Sequence, residues 1–121
     1  MPQSPATSLS SRQAAVFDFL PALARRVFAS RVGTRSAVQV FSAPEGIYTL
    51  VHQRRVSCGS EVIEDRFAQL RALADGGYQL FFKKGNGRWT AYCGRSGDSF
   101  AGSIDECFAE VARDPFGCFW S

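Results

Sequence analysis

The chain has 121 residues, 45% of them apolar and 21% charged, with a formal net charge of +3. That length fits one domain with a single hydrophobic core, and the balance of apolar and charged residues excludes a largely disordered chain. No run approaches the roughly 18 apolar residues of a membrane-spanning helix, and the best early stretch, Ala14 to Ala24, is broken by Asp18 and Pro21.

Residues 1–10 hold Pro, Ser, Thr and Gln with little to bury and read as a flexible leader to a domain over 11–121. Ser10 and Gln13 have capping-box spacing, after which Val16, Phe19, Leu20, Leu23 and Val27 fall on one helical face. This helix is expected to end near Ser30 to Gly33. Pro21 lies inside it and predicts either a kink or a fresh start capped by Asp18.

From Ala37 the period changes to two. Val38 and Val40 oppose Gln39 and Phe41, Pro44-Glu45-Gly46 turns the chain, and Ile47, Thr49 and Val51 oppose Tyr48, Leu50 and His52. Ser57 to Ser60 reads as a loop. Residues 64–74 fit a helix through Phe67, Leu70 and Leu73 but also permit a strand. Asp75-Gly76-Gly77 then predicts a turn into a hairpin over 78–92, with Lys84-Gly85-Asn86-Gly87 reversing the chain. Large groups on both faces of these two strands place them inside the sheet. Gly94 to Gly102 reads as a loop. Ser103 with Glu106 forms a second capping box, and Ile104, Cys107, Phe108 and Val111 make the buried stripe of a helix running to Arg113. Pro115 ends it and pushes Asp114 toward an extended conformation. The fold class is α+β: an antiparallel sheet of about five strands flanked by an N-terminal and a C-terminal helix.

The pieces IYTLVHQRR at 47–55, GYQLFFKKGNGRWTAY at 77–92 and IDECFAEVARDPFGCFWS at 104–121 resemble the bacterial family catalogued as domain of unknown function 3024. In that family a strand pair ends in a basic residue, an aromatic hairpin follows, and a helix runs into an Asp-x-x-Gly-x-Phe-Trp-like terminus. Tyr78 stands where the family usually has tryptophan, and Ser121 where it commonly has glycine. The resemblance implies that 64–74 is a strand. It implies no activity.

No catalytic constellation is recognisable, since the lone His52 has no evident nucleophile and Gly94-Arg95-Ser96-Gly97 is not a nucleophile elbow. Gly97 and Gly102 have phosphate-loop spacing, but Ser103 and Ile104 stand where Lys and Ser or Thr are needed. The four cysteines, Cys58, Cys93, Cys107 and Cys118, contain no Cys-x-x-Cys knuckle, so neither metal nor cofactor is expected. They read as thiols of a cytoplasmic protein. The expectation is a non-catalytic binding module acting on a protein partner. Nucleic acid is the alternative: residues 1–60 carry seven Arg and two acids, and the hairpin 78–92 adds stacking surfaces in Phe81, Trp89 and Tyr92. The contact residues expected for either ligand are Arg54, Arg55, Lys83, Lys84 and Arg88, while Phe116, Phe119 and Trp120 are expected to form a structural tail closing the core.

Overall fold

The computed structural model describes residues 11–33, 36–56 and 61–120, with side chains from Phe19 onward. The leader 1–10, the Ser10 cap, the loop Ser57 to Ser60 with its Cys58, and the side chains of Val16 and Asp18 lie outside the described residues.

Helix α1 (Ser11–Val27) passes through Pro21 as one element, so the fresh start at Asp18 does not occur. Pro21 lies on the exposed side, where water can serve the carbonyl that its missing N–H leaves unpaired. Leu20, Leu23, Ala24 and Phe28 are buried, with Val27 packed beside them, whereas Phe19 is 42% exposed. The buried stripe is therefore rotated away from the face expected from Phe19. The helix also stops earlier than the sequence predicts, in a turn where the Arg31 N–H donates to Phe28 O at 2.9 Å.

Six strands follow: β1 (Ser36–Ala43), β2 (Ile47–Arg55), β3 (Val62–Ala72), β4 (Tyr78–Lys83), β5 (Trp89–Ala91) and β6 (Ala101–Gly102). They form one antiparallel sheet in the order β1-β2-β3-β4-β5, with β6 pairing the start of β4. The ambiguous stretch 64–74 is strand as far as Ala72, because Leu70 pairs with both Tyr48 and Leu80 in the middle of the sheet, and Leu73 and Ala74 already lead into the turn. The expectation that both hairpin strands are internal holds for β4 only; β5 is a three-residue edge. Between β1 and β2, Glu45 (φ 69°) and Gly46 (φ 75°) both adopt left-handed backbone, and a Cβ on Gly46 would stand 2.6 Å from that of Ala72. Only glycine fits there.

One face of the sheet carries Val38, Tyr48, Leu50, Ala68, Leu70 and Leu80 into the core against both helices. A bulge between β2 and β3 sets Leu50 opposite Ala68 but Val51 opposite Arg66, leaving Phe67 as the extra residue. Phe67 and Ala68 are consequently both buried, which breaks the period-two pattern. Helix α2 (Ile104–Arg113) has the expected capping box and buries Ile104, Cys107, Phe108 and Val111. Its Glu110 is also buried: Tyr92 Oη donates to it at 2.6 Å and Arg113 pairs with it. Burial opposes the Glu110 charge, but those two partners outweigh it and hold the carboxyl below its ordinary range. Tyr92 is thus core, not the stacking surface expected of it.

Asp114 is not extended. It sits at φ 45° and ψ 59°, with its N–H donating to Glu110 O at 2.9 Å. Its carboxylate accepts the backbone N–H groups of Cys118 (2.8 Å), Phe119 (3.2 Å) and Trp120 (2.8 Å), and these bonds over-determine the left-handed conformation. The chain curls back, burying Phe119 and setting Trp120 against Phe28, Phe67 and His52. Phe116 departs from its expected role: it lies on the outside of the curl and is 53% exposed.

Candidate functional site

Both helices pack on one side, so no helix covers the other face, which is open except around the fully buried Val51. Strand alternation and register place Phe41, Thr49, Gln69 and Phe81 in one row across it, with Arg71, Arg66 and the pair Lys83–Trp89 in neighbouring rows. Phe41 is 41% exposed, and Phe81 and Trp89 are half-buried. Arg71 lies over the Phe81 ring at 3.9 Å and the Lys83 Nζ lies 5.5 Å from the Trp89 centroid. Each of these two aromatic surfaces therefore carries its own cation.

The face is concave. On a flat sheet β1 and β5 would stand four spacings of ~4.8 Å apart, about 19 Å. Phe41 on β1 and Trp89 on β5 nonetheless line one hollow of about 170 Å³, together with Thr49, Arg66 and Gln69. Twist, increased by the bulge at Phe67, curls the sheet enough to bring the two edges over the same space. Within the hollow, Arg71 Nε donates to Gln69 Oε1 at 2.7 Å and Gln69 Nε2 donates to Thr49 Oγ1 at 3.0 Å. The single acid on this face, Glu64, accepts a hydrogen bond from Gln53. Among the described residues the only ion pair is Arg113–Glu110, so Arg66, Arg71 and Lys83 are not neutralised.

The five expected contact residues gather at one end of the sheet. β2 and β4 are each antiparallel to β3 and so run in the same direction; Arg54 and Arg55 end the first, and Lys83 ends the second. Lys84 and Arg88 flank the adjoining turn, closed by the Gly87 N–H to Lys84 O at 2.8 Å. Alternation puts Arg55 and Lys83 on the open face and Arg54 on the other. The basic excess of the first half mostly lies elsewhere. Arg25 and Arg26 sit in the last turn of α1, on the covered side. Arg31 is structural, donating to the α2 carbonyls of Ala112 (2.7 Å) and Arg113 (2.8 Å). Arg66, Arg71, Thr49 and Gln69 were missed; their signal is the polar alternation around Ala68 and Leu70 in β3, which the bulge interrupts.

A second hollow, about 200 Å³, is lined by His52, Asp65, Phe67, Phe119 and Trp120. His52 Nε2 is buried and has no hydrogen-bond partner among the described residues. Burial lowers the basicity of this imidazole, the Arg54 charge lowers it further, and Asp65 opposes both. The unfolded chain binds a proton near pH ~6.5 that the native state resists, so the contribution of His52 to stability is fully present above that pH and is lost as the pH falls from there toward the lower native value. Urea denaturation at about pH 7.5 and about pH 5.5 should give a less stable protein at the acid end, with His52→Gln reducing the difference. Equal stability of the parent at both pH values would contradict this.

Among the described residues no group of three His, Cys, Asp or Glu side chains could hold a metal ion, and no helix is long and apolar enough to cross a membrane. Cys93 is exposed, and burial pushes the Cys107 thiol up to about 12, making it a small core hydrophobe.

These features define a small α+β protein with an antiparallel sheet covered on one side by two helices and open, aromatic and basic on the other. The chain belongs to the family described as Domain of unknown function (DUF3024), whose model matches residues 17–121. No curated protein and no solved structure matches it.

Proposed function

We propose that this protein is a non-catalytic binding module that holds single-stranded nucleic acid across the open face of its sheet. The carrying observation is the grouping of Phe41, Phe81 and Trp89 with Arg66, Arg71 and Lys83 on one concave surface, where two of the rings carry a cation. Bases stack on aromatic faces whatever their sequence, and phosphates between them require cations at the same spacing. Duplex DNA presents its bases edge-on within a stack, so these rings have no counterpart there. The Lys84 and Arg88 turn and Arg55 extend the basic track along the sheet end.

A protein partner is the second reading, and β1 favours it. This edge strand has eight residues, no charge and no proline, so an extended peptide could add to its unpaired side.

Fluorescence anisotropy with a labelled oligo(dT) and a duplex of the same length, over a salt series, tests the proposal. At about 0.7 counterions each, the three cations of the face give a slope near −2 for log affinity against log salt, and the six of the whole track a slope near −4, with single strand preferred. Absence of single-strand binding at low salt, or equal affinity for duplex, would reject it. Salt-insensitive binding of an extended peptide with hydrogen-exchange protection of β1 would favour the protein partner instead.

A further inference from the structure

We infer that the hollow between Phe41 and Trp89 is a base slot that prefers uracil or thymine to adenine. This rests on the reading of the open face as a single-strand surface. The slot is lined by two aromatic side chains from opposite edges of the sheet and floored by Thr49 and Gln69, with Arg66 beside them. A planar heterocycle entering between the rings meets those polar groups with its edge.

Hydrogen bonding fixes which polar atoms face that edge. Arg71 Nε can only donate, so the Gln69 atom it contacts at 2.7 Å is the carbonyl oxygen. The Gln69 nitrogen therefore faces Thr49, and because it donates to Oγ1 at 3.0 Å, the Thr49 hydroxyl keeps its own hydrogen free. What remains for a ligand is one Gln69 N–H, the Thr49 O–H and the Arg66 guanidinium, which has no hydrogen bond among the described residues. Against these donors stand one remaining lone pair on the Gln69 carbonyl and one on Thr49 Oγ1, while Ser42, which also lines the hollow, can donate or accept. Donors outnumber acceptors. Uracil and thymine offer two carbonyl oxygens and a single N–H, matching that inventory. Adenine accepts only through ring nitrogens, and each of its readable edges sets one of them beside the amino donor, so it offers these donors one acceptor per edge where uracil and thymine offer two.

The test compares oligo(dT) with oligo(dA) of equal length at one salt concentration, on the intact protein and on two variants. The expected preference for oligo(dT) is about tenfold, in the range of one well-formed set of base-edge hydrogen bonds. Because homopolymer stiffness also separates these strands, the variants carry the decision. Thr49→Val keeps the volume and removes the hydroxyl; Arg66→Gln changes an exposed residue and leaves the fold intact. Each should bring the preference at least about threefold closer to unity. Equal binding of both strands by the parent, or an unchanged preference in the folded variants, would overturn the slot while leaving the single-strand surface standing. No binding of either strand would overturn both.

Discussion

Replacing Asp114 with alanine should lower the thermal midpoint by roughly 12 °C. The carboxylate is buried and accepts the amides of Cys118, Phe119 and Trp120, so its loss strands three donors at the mouth of the core. At about 1 kcal/mol for each, near the low end for buried unsatisfied groups, the cost is about 3 kcal/mol. For a chain of this size ~4 °C is lost per kcal/mol. Alanine also gains nothing to hold it at φ 45°. Asp114→Asn, which keeps one acceptor oxygen, should fall between. The same substitution frees Trp120, whose Nε1 donates to Val111 O at 2.8 Å and whose ring packs 5.6 Å from His52. His52 then becomes hydrated, so the alanine variant should also lose the acid sensitivity of the parent. Thermal melts by circular dichroism decide the matter, and an unchanged midpoint would show that the tail is held by something else.

The second large effect concerns binding. A double substitution of Phe81 and Trp89 by alanine should weaken single-strand affinity by at least about 30-fold, since each base–aromatic stack contributes ~1–3 kcal/mol. The melting temperature should move little, because both rings are half-buried on the uncovered face and neither belongs to the cluster that packs against the helices. Binding retained by a folded double variant would remove the open face from consideration. Weakened binding accompanied by a collapsed melt would mean that Phe81 and Trp89 are structural.

The covered side was largely legible from sequence. The α2 stripe from Ile104 to Val111 and its capping box are local, and local signals survive folding. The strand assignment of residues 64–74 needed the family resemblance, because Phe67, Leu70 and Leu73 satisfy a helical period as well as an extended one. Phe67 explains the difficulty: as a bulge residue it buries its side chain next to buried Ala68, which no strict alternation permits. The open side was harder to read. Aromatic residues occupy both faces of β4, and nothing in their spacing says which face receives the helices. Of the three aromatics that the hairpin offers for stacking, Phe81 and Trp89 accordingly stay on the open face while Tyr92 turns into the core. Asp114 departs from the extended conformation expected of it for a different reason. Its conformation is decided by amides four to six residues downstream, and a rule about the residue before proline does not see them.

The pairing of β4 has one more consequence. Its outer edge is shared by two partners, β5 at its end and β6 at its start, and the exchange occurs at Leu80. There the Leu80 N–H donates to Phe100 O at 3.1 Å, the Tyr92 N–H to Leu80 O at 2.9 Å, and the Phe100 N–H to Tyr92 O at 2.7 Å. Those bonds pinch together the two ends of the excursion between Tyr92 and Phe100, whose residues Arg95 to Ser99 are all exposed. The sheet reads straight across the gap. Whatever is spliced between Ser96 and Gly97, whether a fluorophore tag or a whole folded passenger, inherits anchor points already tied to each other, and the rest of the molecule need not register its presence.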